Sequence, residues 1–71
     1  MAATTRNTSR ERLEAKESAI LDAAEQTFCK AGFDGAKISD ISRAASVAEG
    51  TVYIYYHNKQ DLLTAVVARF W

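Results

Sequence analysis

Apolar positions recur with the period of an α-helix along most of the chain. The clearest stripe consists of four positions on one face: Ile20, Ala24, Phe28 and Ala31. It predicts a packed helix over residues 18–31. Gly32 is expected to end this helix, because a left-handed backbone conformation costs glycine least. Phe33 is then expected to anchor the chain in the core just past the helix end.

The polar residues before this stripe are expected to form a flexible tail over 1–17, leaving the folded domain to residues 18–71. Residues 1–7 are small and polar, so we expect them to be disordered. Thr8 and Glu11 have the spacing of a capping box, which marks a place where a helix could begin. We expect the turns that follow to be solvated rather than packed.

Two short helices with a tight turn between them are predicted next. The first rests on three apolar positions: Ile38, Ile41 and Ala45. Residues 46–48 form the turn, and a helix over residues 49–56 follows, with Val52 and Tyr56 pointing inward. Residues 37–56 therefore have the helix-turn-helix layout, in which the second helix enters the DNA major groove and the first braces it.

A fourth helix is predicted from Lys59 onward. Asn58 is a favoured N-cap, and the Asp61 carboxylate suits the positive end of the helix. Apolar side chains cover about half of its circumference: Leu62, Leu63, Val66, Val67, Phe70 and Trp71. This arc is wider than a three-helix core needs. We therefore expect the chain to be a fragment whose fourth helix is normally covered; the alternative is a free helix that dimerises.

The outward face of the third helix carries unusual residues for a small domain. The residues that point away from the core are Gly50, Thr51, Tyr53 and Ile54, with Tyr55 at the margin. Exposed apolar side chains of this size suggest a surface for a partner. Tyrosine hydroxyls reach phosphates, and apolar faces pack against thymine methyl groups.

Composition narrows the possible functions. The chain has 71 residues, which suffice for a single domain without a deep substrate cavity. Its formal net charge is zero, so the overall charge does not favour binding to nucleic acid. Cys29 has no cysteine partner, and with His57 it forms neither a metal site nor a nucleophile–base pair. We therefore expect no enzyme activity, no cofactor and no metal. No apolar run suits a membrane span or a signal core, which predicts a cytoplasmic protein.

Four stretches of the chain form a recognisable series: GFDG at 32–35, ISDI at 38–41, VAEGTVYIYY at 47–56 and NKQDLL at 58–63. Together they resemble the DNA-binding domain of the TetR-type bacterial transcriptional repressors. The resemblance covers about residues 18–67. It implies an all-α fold: a three-helix helix-turn-helix domain plus the start of a fourth, linking helix.

The resemblance also implies partners and a mechanism. Members of this family are homodimers that bind a palindromic operator in double-stranded DNA. A larger C-terminal helical domain, absent here, dimerises and binds a small-molecule effector that releases the repressor from the operator. The sequence VAEGT at residues 47–51 is similar to that of a subgroup that senses acyl-CoA thioesters.

The site residues follow by the same resemblance. Lys37 and Ser39, at the start of the second helix, would touch the DNA backbone, with a contact to a base left open. The face in the groove would comprise Glu49, Gly50, Thr51, Ile54 and Tyr55. Tyr53 and Lys59 would hold phosphates, Lys59 from the positive N-terminus of the fourth helix.

Some positions depart from the family pattern. Ala36 and Lys37 replace the usual pair of threonines, which removes a hydroxyl cap and adds a cation. Ser46 replaces the common turn glycine and is expected to strain the turn or change its φ. Ala48 replaces the usual Ser or Thr N-cap, at a cost of about 1 kcal/mol. Glu49 stands where neutral or basic residues are common.

Two alternatives remain open at this point. The tyrosine face and the zero net charge also fit a small helical module that docks another protein. The N-terminal basic series could be a minor-groove arm or the face of a solvated helix. It consists of Arg6, Arg10, Arg12 and Lys16. The interleaved glutamates favour the solvated helix.

Overall fold

The computed structural model of the protein describes the backbone of residues 2–70 and the side chains of residues 12–70. Over this range it is all-α. The helices are α1 (Ala2–Gly35), α2 (Ile38–Ala44), α3 (Glu49–Tyr55) and α4 (Lys59–Ala68). The predicted helix order is confirmed, with α2 and α3 forming the helix-turn-helix pair.

The N-terminal part of α1 differs from the sequence prediction. The helix begins at Ala2, ahead of the possible start at Thr8, and the expected disorder up to residue 7 stays a prediction. No glycine or proline occurs between residues 2 and 31, so nothing interrupts the helix as it extends backward. Side chains 12–18 are all exposed, as expected for solvated turns. The division into a tail and a domain at residue 17 stays a prediction.

Some predictions concern residues outside those described. The side chains of the proposed capping box, Thr8 and Glu11, are not described, and neither are those of Arg6 and Arg10 in the basic series. Trp71, the last member of the wide apolar arc, also lies outside the described residues.

Gly32 divides α1 into a long helix and one further turn. Its φ of 75° and ψ of 171° lie in a region that is accessible almost only to glycine. The following turn closes where the Ala36 N–H donates to the Gly32 carbonyl oxygen at 3.1 Å. The predicted helix stop at Gly32 is confirmed.

The core takes one fully buried large side chain from each helix. These side chains are Ile20, Ile41, Val52 and Leu62. Smaller or flanking residues, among them Ala24 and Val66, complete the cluster. Full burial of each large side chain stabilises the fold by about 1.5–3 kcal/mol. This cluster fixes α3 against α2 and α4 against α1.

The stripe on α1 leaves the core earlier than predicted. Phe28 is half-buried, Ala31 is exposed, and Phe33 is 37% exposed. Phe33 instead stacks on Phe28 with ring centroids 5.8 Å apart. The core is centred near Ile20, so the last turn of α1 projects beyond it. The prediction of Phe33 as a core anchor is wrong.

The end of α2 is a Schellman motif built on a serine. Ser46 has a φ of 61°. Its N–H donates to the Arg43 carbonyl at 3.1 Å, and the Val47 N–H donates to the Ser42 carbonyl at 2.9 Å. Glycine is usual at this position. Ser46 therefore keeps the left-handed conformation and carries its strain, one of the two outcomes expected from the sequence.

Two side-chain contacts hold α4 and the end of α3 against α1. Arg69 Nη2 lies 2.6 Å from Asp22 Oδ1, and the Tyr56 hydroxyl donates to Glu17 Oε2 at 3.2 Å. Tyr56 lies just past α3, which ends one residue earlier than predicted. The half-buried Tyr56 ring packs against the core cluster.

The other face of α4 is apolar and open to solvent. Val67 is 46% exposed and Phe70 is 68% exposed. The wide apolar arc predicted for this helix is therefore present over the described residues. None of the helices within residues 2–70 combines the length and apolarity that crossing a membrane requires.

Candidate nucleic-acid interface

An open depression of about 630 Å³ forms where the end of α1 meets the N-terminal ends of α2, α3 and α4. Several of the residues predicted to bind DNA line it: Lys37, Ser39, Glu49, Tyr53 and Lys59. The fold thus collects on one surface residues that lie up to 22 positions apart in sequence. We refer to this feature as the depression.

The N-terminus of α2 presents Lys37 to solvent. Lys37 is the N-cap residue, with φ −114° and ψ 141°, and no side chain caps the helix. Its carbonyl oxygen accepts from the N–H groups of Asp40 and Ile41, each at 3.1 Å. The loss of the hydroxyl cap expected from the sequence is confirmed. Ser39 follows half-buried, with its carbonyl accepting from the Ser42 hydroxyl at 2.9 Å.

Most of the outer face of α3 is exposed, as predicted. Ile54 is 80% exposed, Tyr53 is 47% exposed, and Gly50 and Glu49 are exposed as well. Thr51 is half-buried at the side of this face. Val52 fixes the orientation, because its complete burial turns the opposite side of a short helix to solvent.

Tyr55 lies at the margin of the outer face of α3. It is half-buried, packs against the core cluster, and its ring centroid lies 6.4 Å from that of Tyr56. This half-burial agrees with the predicted place of Tyr55 at the margin of the outer face. A contact of Tyr55 with DNA stays a prediction.

Neither α2 nor α3 has a side-chain N-cap, whereas α4 has one. Ala48 precedes α3 without a capping hydrogen bond, as its methyl side chain requires. Asn58 Oδ1 accepts from the Asp61 N–H at 2.8 Å at the start of α4. The Glu49 carboxylate therefore stands in the first turn of an uncapped helix, where the helix dipole stabilises negative charge.

Lys59 is held by the end of α1. Its ammonium donates to the Phe33 carbonyl oxygen at 2.7 Å and to the Asp34 carbonyl oxygen at 3.4 Å. The same nitrogen lies 4.7 Å from the centroid of the Phe33 ring. Carbonyl groups at the end of a helix attract cations, and an aromatic face adds to that attraction.

Sequence reasoning missed several residues of this surface. Phe33 and Asp34 contact Lys59 through backbone carbonyls, which no residue type signals. His57, Asn58 and Gln60 line the same depression beside Lys59. His57 is 92% exposed, with Nδ1 3.6 Å from Asp61 Oδ2. Adjacency to Lys59 in the sequence was the available signal for these three residues.

The pKa of Tyr56 is raised from 10.0 to about 12. Burial is the main cause, and the charge and hydrogen bond of Glu17 add to it. The hydroxyl therefore stays protonated over the usual pH range and keeps its bond to α1. In the same region, the hydrogen bond to Asp22 raises the pKa of Arg69. The Tyr56–Glu17 hydrogen bond ties the residue just past α3 to α1, and the Arg69–Asp22 contact ties the end of α4 to α1.

The residues that the structure describes offer few groups for metal binding or thiol chemistry. Over the part of the chain that the structure describes, no three His, Cys, Asp or Glu side chains come together as potential metal ligands. Cys29 is exposed on α1 and forms no disulfide.

The family of the chain follows from a comparison of sequences. The family model described as "Bacterial regulatory proteins, tetR family" matches residues 20–66. The chain belongs to the tetR family. The match includes all of α2 and α3 and most of α4, so the helix-turn-helix pair is the family's own.

Individual relatives agree with this assignment. The chain is 38% identical over 47 residues to the fatty acid metabolism regulator protein of Bacillus subtilis, covering 66% of this chain and 24% of the relative. It is 34% identical over 64 residues to the HTH-type transcriptional repressor BepR of Brucella suis, covering 90% of this chain and 30% of the relative.

A third relative is the HTH-type transcriptional regulator RutR of Escherichia coli. It is 38% identical over 53 residues, which cover 75% of this chain and 25% of the relative. The chain therefore spans between about a quarter and a third of the length of these relatives. No solved structure matches the chain significantly.

Proposed function

We propose that this domain binds double-stranded DNA with α3 in the major groove and thereby regulates transcription. The observation that carries the proposal is the arrangement around α3. Its exposed outer face is flanked by Lys37, Ser39, Tyr53 and Lys59 on the depression. A helix is about 10–12 Å across with its side chains, which fits a major groove about 12 Å wide.

The flanking residues suit phosphates rather than bases. Lys37 is exposed at the N-terminus of α2, and Tyr53 presents a half-exposed ring with a hydroxyl at its tip. Such groups position a protein on the DNA backbone without reading sequence. Lys59 can join them by exchanging its backbone carbonyl partners for a phosphate oxygen, which is a stronger, charge-assisted acceptor.

Because the chain has no net charge, the proposed contact with DNA depends on the charged residues close to α3. The chain carries nine basic and nine acidic residues, so long-range attraction to DNA is weak. Lys37 and Lys59 provide the positive charge on the proposed surface, while Glu49 opposes it. We therefore expect each domain to release few counterions and to have a modest salt dependence.

In the whole protein, we propose a homodimeric repressor that reads a palindromic operator in the cytoplasm. Two half-sites held in register multiply the effective concentration of the second domain. A single domain is thus expected to bind far more weakly than the dimer. Release by a small-molecule effector would occur through a C-terminal domain. The effector's chemistry lies outside residues 20–66, so the names of the relatives do not assign it.

Salt dependence tests this proposal against a protein-docking module. The chain is titrated into fluorescent duplex DNA enriched from a random library, at several salt concentrations. We expect affinity to fall as salt rises, with a shallower slope for Lys37→Ala. Lys30→Ala is the matched control, because Lys30 is exposed on α1 and does not line the depression. The absence of any salt-dependent binding would contradict the proposal and favour a protein-docking module.

A further inference from the structure

Gly50 is a glycine that the fold itself does not require. It lies in α3, outside the positive-φ region, and a Cβ added to it would meet nothing within 4 Å. Neither backbone geometry nor internal packing therefore demands glycine here. Glycine in a helix is less favourable than alanine. Without a side chain, Gly50 leaves the backbone of α3 open to the close approach of a partner.

Ile54 stands one helical turn beyond Gly50 on the same face. It is 80% exposed, more than Tyr53 or Phe70. Residues four apart in a helix are neighbours on its surface. The bare backbone at Gly50 thus forms a recess beside the projecting side chain of Ile54. This pair has no side-chain hydrogen-bond donor or acceptor.

The chemistry of such a pair selects one feature of the major groove. Base edges there offer hydrogen-bond donors and acceptors, and thymine alone adds an apolar group, its C5 methyl. The groups on either side of the pair are polar: Glu49 and Tyr53 face the depression. An apolar contact at the centre with polar contacts at the edge matches a helix seated in the groove.

We propose that Ile54 reads a thymine by packing against its C5 methyl group, and that Gly50 lets the backbone of α3 approach the bases closely enough. This inference rests on the proposed DNA binding and specifies what its recognition helix reads. It makes Ile54 a specificity-determining residue.

Replacing thymine by deoxyuridine tests the inference, because this removes only the methyl group. The probe is a duplex enriched from a random library by the 71-residue chain, synthesised with each thymine replaced in turn. Burying one methyl-sized group is worth about a fourfold change in affinity. We expect about a fourfold loss at one position of the half-site for the unmodified protein. Ile54→Ala should lose this sensitivity and Ile54→Val should keep most of it.

The outcomes separate this inference from the proposed function. Salt-dependent binding that is indifferent to every deoxyuridine would overturn the thymine contact while leaving DNA binding intact. Equal sensitivity in Ile54→Ala would assign the methyl contact to another residue and also overturn the inference. Failure to bind any duplex in a salt-dependent way would overturn both. Unchanged circular dichroism and melting of the variants, expected for a side chain this exposed, exclude unfolding as the cause.

Discussion

The Lys59 ammonium lies 4.7 Å from the centre of the Phe33 ring and donates to the Phe33 carbonyl oxygen at 2.7 Å. This contact joins the start of α4 to the end of α1 at the edge of the depression. The same lysine is proposed to hold a phosphate. In the free domain it therefore has a protein partner that competes with DNA.

Lys59→Ala should weaken binding to all duplexes about equally and lower the salt slope by about one unit, as the loss of a phosphate contact does. It should also destabilise the free domain by about 0.5–1 kcal/mol through loss of the cation–π contact. Phe33→Leu is the matched control, because it removes the ring and keeps the charge. It should lose at least as much stability, because Phe33 also stacks on Phe28, and it should retain the salt slope. A change in the preferred sequence for Lys59→Ala would contradict the phosphate assignment.

Ser46→Gly should stabilise the domain by about 1 kcal/mol, because a left-handed conformation costs a non-glycine residue about 1–2 kcal/mol. The φ of 61° at Ser46 motivates this expectation. Urea unfolding measures the difference in unfolding free energy. Ser46→Ala serves as the control and should give no gain, since alanine retains the Cβ atom. An equal gain in both variants would mean that the serine hydroxyl, not the backbone conformation, is the source of strain.

Gly50→Ala should raise stability and lower DNA affinity at the same time. Alanine is favoured over glycine within a helix by about 0.5–1 kcal/mol, and the added Cβ meets open space in the free domain. On DNA the same methyl group would hold α3 away from the bases. Thermal melting and duplex titration of the one variant measure both effects. Increased stability with unchanged affinity would show that nothing approaches Gly50 closely.

Glu49→Gln should tighten binding to every duplex and slightly destabilise the free domain. Ala48 leaves α3 without a side-chain cap, so the Glu49 carboxylate interacts favourably with the helix end by about 0.3–1 kcal/mol. Near phosphates the same negative charge is unfavourable. Binding-site selection with both proteins distinguishes this from base reading. Relaxed preference at a single cytosine-containing base pair would show that Glu49 accepts from the cytosine amino group.

The raised pKa of Tyr56 predicts a loss of stability in alkali. The folded state holds the tyrosine proton more tightly than the unfolded state, whose pKa is near 10.0. This contribution is complete below about pH 10 and is lost as the pH rises through about 12. Unfolding free energies measured across this range should fall less steeply in Tyr56→Phe. Glu17→Gln should lower the Tyr56 pKa, and an unchanged pKa would contradict a contribution from Glu17.

The sequence predicted the interior of the domain better than its edges. Val52 and Leu62 are buried as their spacing indicated, and Gly32 ends the long part of α1. The prediction of Phe33 as a core anchor was wrong because periodicity indicates which face of a helix is apolar. It does not indicate where along the helix that face leaves the core. The start of α1 at Ala2 did not follow from the sequence, because the polar residues before Ile20 carry no apolar stripe.

In the candidate site, too, the sequence predicted what depends on helix periodicity and missed what depends on the folded backbone. The exposure of Ile54 followed from the burial of Val52 on a helix of known period. The anchoring of Lys59 did not follow, because its partners are the carbonyl oxygens of Phe33 and Asp34. Every residue has a carbonyl group, so only the folded backbone reveals which ones converge on the ammonium.

Amide chemical shifts of the 71-residue chain during titration with an enriched duplex show which face binds DNA. We expect the largest changes at Lys37, Ser39, Gly50 and Ile54, around the exposed face of α3. The amides of Val67 and Phe70, on the open apolar side of α4, should change little. Changes centred on Val67 and Phe70, with α3 unaffected, would contradict DNA binding through α3.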